Sequence, residues 1–486
     1  MSPRASLKAF LSVARAALTA PPSKRPSPLT FVVGNESADL DSLCSALLLA
    51  YFHTYTPPAA AATKAEDRTS TTATGIPSTG TGSLHIPLCH LRRADLALRP
   101  EFAALLQDAG VNSGDVFTFE DIFSSSSPSL QQGGSDDKNV RINTESSHLP
   151  TALINPDDTR WLLVDHNVMT GVLGRVFGHR VVGCVDHHAD EHVISPDAEI
   201  RIIEKSGSCA SLVLDRCREA WDAAATTAEA KEKGGKERGG ELKEIDAQLA
   251  RLALGPILID TGNLLDGTKT TAYDTRAVEL AEGKIKAVDT GYERDGFFDR
   301  IAALKDDLDG MGFRDVLRKD YKEWSAGNGD AASGKSRLHL GTCSVSRSFE
   351  YLVDGKAEGD AGVFLTELAK WTAEKDNNCG SDGQGANGGK MDLVAVFTGF
   401  KDTEGQFCRE LLVWALTAPG IKAAEIFERE NAESLGLGPW RGGELDLVKV
   451  KAGEGDWRKG WKQNSVAASR KQIAPMLRDA MQKVSG

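Results

Sequence analysis

The sequence predicts an α/β protein with two lobes: a larger N-terminal domain built on a parallel sheet and a smaller C-terminal α/β domain. Short apolar strands with a following turn and helix recur through the first 260 residues, and a second α/β region begins near residue 300. Such repetition is typical of a parallel sheet. Open α/β sheets bind ligands at the carboxyl ends of their strands, and ligand sites favour domain interfaces, so we expect a site in the cleft between the lobes.

The N-terminal segment is predicted to form a surface helix. Its apolar residues recur at helical spacing, at Leu7, Phe10, Leu11 and Ala14. Two prolines then end the pattern, as expected at a helix terminus. Residues 1–35 contain basic side chains and no acidic one, which is also typical of a mitochondrial transit peptide. The transit peptide is therefore kept as an alternative.

Four short apolar runs predict the strands of the N-terminal sheet, with a helix from Ser42 to Tyr55 after the first. The predicted strands are residues 30–34, 159–166, 180–186 and 254–260. An acidic residue lies at or next to the end of each of the last three. Because parallel strands end at the same edge of a sheet, we expect the Asp side chains to gather there.

The second region contains further strands and helices, and a charged stretch near 282–310 is the expected hinge. Its predicted strands are Arg337–Val345 and Met391–Phe397, and its predicted helices are Gly362–Lys375 and Ser465–Lys483. We therefore place the two domains at residues 1–295 and 296–486. Polar stretches of simple composition predict surface insertions near 56–83, 124–149, 222–242 and 376–390.

Composition excludes several classes of protein. The chain has 486 residues, 41% of them hydrophobic, and no apolar run long enough for an integral membrane segment. Its net charge of −12 argues against broad binding to nucleic acid, although it permits a local basic pocket. The eight cysteines are scattered and form no CxxC pair, as expected of reduced thiols in the cytosol. We therefore expect a cytoplasmic protein; its oligomeric state is left open.

Acidic and histidine residues form four short motifs that indicate a metal site. The motifs are Asp39-Leu40-Asp41, Asp165-His166-Asn167, Asp186-His187-His188 and Asp260-Thr261-Gly262-Asn263. One such Asp alone is most often a helix cap or turn residue. Five carboxylates and two histidines at one sheet edge would repel each other without cations. Mixed Asp and His ligands without thiolate favour Mn²⁺, Mg²⁺ or Co²⁺ over structural zinc.

Two metals that share one carboxylate, roughly 3.5–4 Å apart, could activate water for in-line displacement at phosphorus. The signatures of other hydrolases and nucleotide-binding proteins are not found: there is no GxSxG elbow, and neither a P-loop nor a GxGxxG turn follows a predicted strand. The motifs therefore indicate phosphoester or phosphoanhydride chemistry.

With these motifs the sequence resembles a known family, the DHH phosphoesterases. The Asp186-His187-His188 triplet matches the one that names the superfamily, and all four motifs come in its order. The second region resembles the associated domain of family II inorganic pyrophosphatases, fungal exopolyphosphatases and prune proteins. Its marks are residues 320–324 (DYKEW), 346–349 (SRSF) and 469–472 (SRKQ).

The resemblance implies a role for each matching residue. The implied metal ligands are Asp39, Asp41, Asp165, His187 and Asp260. Among the groups implied in catalysis, Asp165 bridges two divalent cations, Asp186 orients its neighbours, and His188 contacts the scissile phosphate or the leaving oxygen. The implied cationic clamp on the phosphates is Lys322, Arg470 and Lys471, with Arg347 as a further candidate. A solvated surface charge is the alternative for these basic residues.

Position 35 discriminates among the relatives. Pyrophosphatases carry a metal-binding His where this chain has Asn35, and an amide oxygen binds Mn²⁺ or Co²⁺ more weakly than imidazole does. The loss of this histidine ligand favours binding of Mg²⁺ and leaves room beside the first metal for the terminal phosphate. The string GNESADLDS resembles fungal exopolyphosphatases, so inorganic polyphosphate is the expected substrate and nucleic acid is not. The alternatives are an inorganic pyrophosphatase, a prune-like short-chain polyphosphatase or phosphodiesterase, and a non-catalytic DHH scaffold that binds protein partners.

Overall fold

A computed structural model describes residues 4–55, 83–123, 152–231, 236–326, 337–378, 391–448 and 457–485. The described residues up to Asp307 form one compact unit, and those from Leu308 form a second. Each unit has its own hydrophobic core. None of the described helices combines the length and the apolar character that a bilayer span requires.

The first unit contains a five-stranded, fully parallel sheet, as predicted. Its strands are β1 (Leu29–Val33), β2 (His85–Leu88), β3 (Thr159–Val164), β4 (Val181–Asp186) and β5 (Ile200–Ile203). They are ordered β2-β1-β3-β4-β5, with every neighbouring pair parallel. Phe31 of β1 stacks on its register partner Trp161 of β3, with the ring centroids 4.6 Å apart. The carboxyl ends of β1, β3 and β4 therefore lie side by side.

Eight helices of the described chain belong to this unit. They are α1 (Leu7–Thr19), α2 (Leu40–Tyr55), α3 (Pro100–Asp108), α4 (Gly171–Phe177), α5 (Cys209–Lys231), α6 (Lys236–Thr261), α7 (Ala272–Lys286) and α8 (Arg294–Asp306). The predicted N-terminal helix is confirmed as α1. Helix α2 is buried continuously from Leu40 to His53, and it packs against β1, β2, α5 and α6. A helix that is apolar on all sides is buried in this way.

The predicted strand at 254–260 is wrong, because these residues form the last turns of helix α6. Both environments favour a short apolar run, and periodicity cannot separate them when every face is buried. Leu254, Ile257 and Leu258 are all at most 1% exposed. A Cβ on Gly255 would lie 2.4 Å from Leu105 Cδ1, so the glycine permits close packing of α6 on α3. Asp260 therefore lies near a helix end and not at a strand end.

The second unit is built on a mixed eight-stranded sheet. Its strands are β6 (Tyr321–Ala326), β7 (Leu338–Val345), β8 (Leu393–Thr398), β9 (Phe400–Lys401), β10 (Phe407–Ala415), β11 (Leu437–Pro439), β12 (Leu447–Val448) and β13 (Trp457–Gln463). The main path runs β11-β13-β10-β8-β7-β6, and only β7 and β8 along it are parallel. The predicted strands near 337–345 and 391–397 are confirmed as β7 and β8.

The helices of this unit are α9 (Phe313–Lys319), α10 (Ala361–Asn378), α11 (Ala418–Leu435) and α12 (Arg470–Ser485), with a π-helical turn at Tyr351–Lys356. Helices were predicted where α10 and α12 lie, although α12 begins at Arg470 instead of residue 465. The predicted insertions near 56–83, 124–149 and 376–390 fall almost wholly outside the described residues. In the fourth predicted insertion, near 222–242, α5 continues to Lys231 and α6 begins at Lys236. Helices here agree with the helix propensity of Ala, Lys and Glu.

Candidate metal centre

The turns that follow β1, β3 and β4 bring three of the sequence motifs together. Asp165, directly after β3, has a left-handed backbone (φ 61°), and its N–H donates to the carbonyl of Val185 in β4 (3.0 Å). A non-glycine residue seldom adopts this conformation. It directs the Asp165 carboxylate to the same edge of the sheet as the turns after β1 and β4.

The two carboxylate oxygens of Asp165 have different partners. Oδ2 accepts hydrogen bonds from Ser42 Oγ (2.7 Å) and Asn35 Nδ2 (2.8 Å). Oδ1 lies 3.1 Å from His187 Nε2 and 3.6 Å from His188 Nδ1. Ligand atoms of Asp165, His187 and His188 all fall within 4.8 Å of one another. One oxygen is thus fixed by neutral donors, and the other faces the histidine pair.

His187 is held in the tautomer that a metal ligand requires. Its Nδ1 lies 2.9 Å from the carbonyl oxygen of Ser206, which can only accept, so Nδ1 carries the proton. In the neutral ring the lone pair is then on Nε2. That nitrogen lies 3.1 Å from Asp165 Oδ1 and 3.9 Å from Asp41 Oδ2. Either a proton on Nε2 or a divalent cation supplies the positive charge that these facing groups require, and the set of imidazole nitrogen and carboxylate oxygens fits a divalent cation.

Asp41 lies in the first turn of α2 and contacts the amino end of α5. The backbone N–H groups of Cys209 and Ala210 donate to Oδ2 (2.6 Å) and Oδ1 (2.9 Å), and Ser208 Oγ donates to Oδ1 (2.8 Å). Burial raises the pKa of Asp41 well above its ordinary value, and the nearby carboxylates of Asp165, Asp260 and Asp39 raise it further, while His187 lowers it. Such crowding of buried carboxylates is relieved by bound cations.

Asp186 orients the histidine pair from the end of β4. Its Oδ1 accepts hydrogen bonds from the N–H groups of His187 (2.8 Å) and His188 (3.1 Å), and it lies 2.9 Å from His188 Nδ1. Its Oδ2 accepts from Asn167 Nδ2 (2.6 Å). Burial opposes ionisation of Asp186, but hydrogen bonds and charge from His188, together with Asn167, outweigh it and lower the pKa. With His188 Nδ1 held by Asp186, His188 Nε2 is the atom that can contact a ligand.

The other predicted residues of the N-terminal site lie around this group. Asp39 Oδ1 accepts from the N–H of Ser42 (3.0 Å) and caps α2. Asp260 and Asp39 are both close enough to Asp41 to raise its pKa. The two ends of the Asn35 amide have different partners. Its oxygen accepts from the N–H and hydroxyl of Ser37 (3.0 and 2.6 Å), and its nitrogen donates to Asp165. The amide oxygen of Asn35 therefore stabilises the turn, and its role toward a metal stays a prediction.

The predicted basic residues all lie in the second unit. The guanidinium of Arg470, at the start of α12, donates to the carbonyl (3.0 Å) and carboxylate (2.7 Å) of Asp320. Lys322 follows two residues later in β6 and is half-buried, whereas Lys471 is exposed. Arg347 is half-buried, with its guanidinium 5.8 Å from the ring centroid of Tyr351. The Arg470–Asp320 contact brings the first residue of α12 next to the residue before β6. Lys322 is the second residue of β6, and Lys471 is the second residue of α12.

Sequence reasoning missed several residues that hold the ligands in place. Ser42 donates to Asp165, the carbonyl of Ser206 fixes the tautomer of His187, and Ser208 donates to Asp41. Ser42 belongs to the GNESADLDS string, and residues 206–211 read SGSCAS across the start of helix α5 at Cys209. Small hydroxyl residues before a helix are a capping pattern, which could have drawn attention to the segment but not to its contacts.

Two family models match the chain. The DHH family, N-terminal domain, matches residues 30–254, and the DHHA2 domain matches residues 299–480. A Schizosaccharomyces pombe protein named "Putative exopolyphosphatase" is 28% identical over 464 residues, which cover 95% of this chain and 93% of that protein. The human Exopolyphosphatase PRUNE1 is 23% identical over 474 residues, which cover 97% of this chain and 79% of that protein.

Among solved structures, the crystal structure of a Methanococcus jannaschii "putative family II inorganic pyrophosphatase" matches with a TM-score of 0.47 and 18% sequence identity. The match covers 93% of this chain and 99% of that one.

Proposed function

The chain belongs to the DHH phosphoesterase superfamily, with a DHH domain followed by a DHHA2 domain, and on this premise we propose that it is an exopolyphosphatase. The proposed reaction is metal-dependent hydrolysis of the terminal phosphoanhydride bond of inorganic polyphosphate, with release of orthophosphate. The names of the S. pombe and human relatives support this substrate. The scattered cysteines support a cytoplasmic location.

The observation that carries the proposal is the set of ligand atoms at this edge of the sheet, where Nε2 of His187 faces Asp165 at 3.1 Å and Asp41 at 3.9 Å and ligand atoms of Asp165, His187 and His188 lie within 4.8 Å of one another. Two divalent cations, Mg²⁺ or Mn²⁺ with Co²⁺ as a substitute, would be held by Asp39, Asp41, Asp165, His187 and Asp260, and Asp165 is the ligand that both would share. Such a pair supplies charge neutralisation and an activated water when bound. Asn35 lies beside Asp165 and would leave room there for the terminal phosphate.

His188 is the proposed contact to the reacting phosphate. Its Nδ1–H is held by Asp186 Oδ1 at 2.9 Å, so the protonated ring can donate from Nε2 to a phosphate or leaving-group oxygen. Asp186 keeps the ring in one orientation, as a carboxylate does for a general-acid histidine. The side chain of His188 is 30% exposed, which leaves it accessible to a substrate.

The second unit supplies the proposed contacts to the non-reacting phosphates. Lys322, Arg470 and Lys471 come from the starts of β6 and α12, and these starts are joined because Arg470 donates to Asp320, just before β6. Arg347 is assigned to the same role. Basic residues in the family's motifs, in a chain of net charge −12, are consistent with binding of a polyanion. Neutral replacement of Lys322 or Lys471 should raise KM for polyphosphate and weaken its salt dependence.

Two other functions remain as outcomes of the test. An inorganic pyrophosphatase or a prune-like enzyme would prefer short substrates or phosphodiesters. A non-catalytic scaffold would bind protein partners and neither bind Mn²⁺ tightly nor release phosphate.

The test is a phosphate-release assay with Mg²⁺ or Mn²⁺ against pyrophosphate, tripolyphosphate, long-chain polyphosphate and a cyclic nucleotide. We expect tripolyphosphate and long polyphosphate to be hydrolysed from the end, with pyrophosphate a poor substrate. Fastest turnover of pyrophosphate would contradict the exopolyphosphatase assignment but leave the family chemistry intact. Absence of release together with absence of Mn²⁺ binding would favour the scaffold.

A further inference from the structure

We propose that Asp274 is a positioning residue of the metal centre. Asp274 lies in the first turn of α7 and is completely buried. It contacts none of the assigned ligands in the hydrogen bonds described below, and it acts on residues 206–211, here called the serine segment. The inference rests on the proposed function, because it assigns to Asp274 the placement of two of the proposed metal ligands.

The carboxylate of Asp274 binds the serine segment at three points. Oδ2 accepts from the N–H of Gly207 (2.9 Å), and Oδ1 accepts from the N–H of Ser208 (3.2 Å) and the hydroxyl of Ser211 (2.6 Å). These contacts cross more than 60 residues of sequence. Both oxygens of Asp274 are therefore committed to fixing the backbone between β5 and α5.

Helix capping alone does not explain these contacts. Asp274 does take part in a capping box, since its Oδ2 accepts from the N–H (2.7 Å) and hydroxyl (2.8 Å) of Thr271. A capping box requires a single side-chain acceptor for the N-cap N–H. It requires neither complete burial nor two further backbone N–H donors from another part of the chain.

The serine segment in turn holds two proposed ligands. The carbonyl of Ser206 binds Nδ1 of His187 at 2.9 Å and so turns Nε2 toward Asp165 and Asp41. Ser208 Oγ and the N–H groups of Cys209 and Ala210 donate to the carboxylate of Asp41 at 2.6–2.9 Å. A shift of this segment would alter the orientation of the His187 ring and the place of the Asp41 carboxylate together.

Close packing limits the segment from its other side. A Cβ on Gly207 would lie 2.5 Å from Thr261 Cγ2 and 3.0 Å from Asp274 Oδ2. Only glycine fits between these two groups. Thr261 directly follows Asp260, a third proposed ligand. The backbone at Gly207 is therefore held between Asp274 and the residue next to Asp260.

The first variant is Asp274→Asn, which keeps the shape but cannot accept at both positions. In either amide orientation an NH₂ group faces at least one backbone N–H donor, from Gly207 or Ser208, so that donor loses its partner. We expect Mn²⁺ binding, measured by calorimetric titration of the metal-free protein, to weaken at least about tenfold, the scale seen when groups that orient metal ligands are lost. The kcat for tripolyphosphate should fall with it.

Asp121→Asn is the matched control. Asp121 closes a Thr-x-x-Asp capping box with Thr118 in the same unit, and it also binds distant donors, Arg15 and Arg93. It makes no described contact to a proposed ligand. Its replacement should lower stability while leaving the Mn²⁺ affinity within about twofold of the parent, since a loss of stability alone does not change the site in the folded protein.

A second variant, Ser211→Ala, covers the case in which Asp274→Asn fails to fold. Ser211 donates to Asp274 and makes no described contact to Asp41 or His187, so any loss of Mn²⁺ affinity must pass through Asp274. Parent-like Mn²⁺ affinity in folded Asp274→Asn, or in Ser211→Ala where the former does not fold, would overturn the proposal. Failure of the parent itself to bind Mn²⁺ would instead refute the proposed function.

Discussion

Individual side chains of the candidate centre have separable roles. Asp165 uses one oxygen to face His187 and His188 and the other to accept from Ser42 and Asn35. Asp186 contacts the same histidines but through backbone N–H groups and Nδ1. Asp165 thus turns one oxygen toward the side-chain nitrogens of the histidine pair, whereas both oxygens of Asp186 accept hydrogen bonds from protein donors.

Asp165→Asn should abolish turnover while leaving the fold intact. The amide keeps the size of the side chain but removes the charge that both cations are proposed to share, so kcat should fall by several orders of magnitude. The measurement is kcat for tripolyphosphate at saturating Mg²⁺, with Asp157→Asn, an exposed carboxylate before β3, as the control. Retention of more than about a tenth of the activity in a folded variant would place the shared ligand elsewhere.

Asn35→His tests whether Asn35 borders the metals or only holds its turn. An imidazole nitrogen should tighten Mn²⁺ or Co²⁺ binding, and its bulk should lower polyphosphate hydrolysis relative to pyrophosphate hydrolysis. The measurement is kcat/KM for both substrates with Mg²⁺ and with Mn²⁺. Because Asn35 also accepts from Ser37, a purely structural role would reduce all four values in proportion, and an unchanged ratio would exclude Asn35 from the site.

Helix α1 shows how an element far from the centre supports the first unit. Its buried face contains Leu7, Phe10, Leu11, Ala14 and Leu18. Arg4, just before the helix, bonds to the buried Asp246 of α6 at 2.5 Å, and Tyr51 of α2 donates to the carbonyl of Ala5 at 2.6 Å. The segment is thus joined to α2 and α6, and these two helices carry Asp41 and Asp260.

Phe10→Ala should destabilise the first unit by about 3–5 kcal/mol, the range for deletion of a fully buried aromatic ring. Phe10 is 0% exposed and packs edge-on against Tyr51, with the ring centroids 5.5 Å apart. The free energy of unfolding would be measured in urea. Val13→Ala on the exposed face of the same helix (46% exposed) should change it by less than about 0.5 kcal/mol. Equal effects of both variants would show that α1 does not pack as described.

The first unit as a whole buries histidines in their neutral form. His53 and His85 contact each other edge-on at 5.2 Å, and burial lowers the pKa of His53 to about 3 and that of His85 to about 4. In the unfolded chain both would take up a proton near pH 6.5. The unfolded state therefore binds more protons below that pH, and the folded state loses stability as the pH falls from about 6.5 toward 4.

His53→Leu should flatten this dependence by up to about 1.4 kcal/mol per pH unit, the value for one proton. The measurement is the free energy of unfolding between pH 7 and pH 4. Each unit has its own core, so the unfolding transition of the first unit is identified as the one whose midpoint Phe10→Ala lowers. His179→Gln, at a position whose side chain is 59% exposed, is the control and should keep the parent slope. A parent-like slope in His53→Leu would show that His53 is not buried in its neutral form.

The parallel sheet and the N-terminal helix could be predicted from the chain alone, because apolar periodicity and the order of strand, turn and helix are local properties. The family could be predicted as well, since the Asp186-His187-His188 triplet and the order of the motifs are read directly from the chain. The proximity of Asp165 and Asp186 could also be predicted, because they come at the ends of β3 and β4 and neighbouring parallel strands end at one edge of the sheet.

The hydrogen-bond partner of each of these groups, in contrast, follows only from the packing of the folded chain. Residues 254–260 form a helix where the sequence predicts a strand, because burial on most sides removes the period that distinguishes the two and leaves the packing of α6 to decide. The tautomer of His187 depends on Ser206, and the place of Ser206 depends on Asp274, 67 residues beyond Gly207. Hydrogen bonds between such distant residues follow from how β5, α5 and α7 pack, and no local pattern in the sequence encodes that packing.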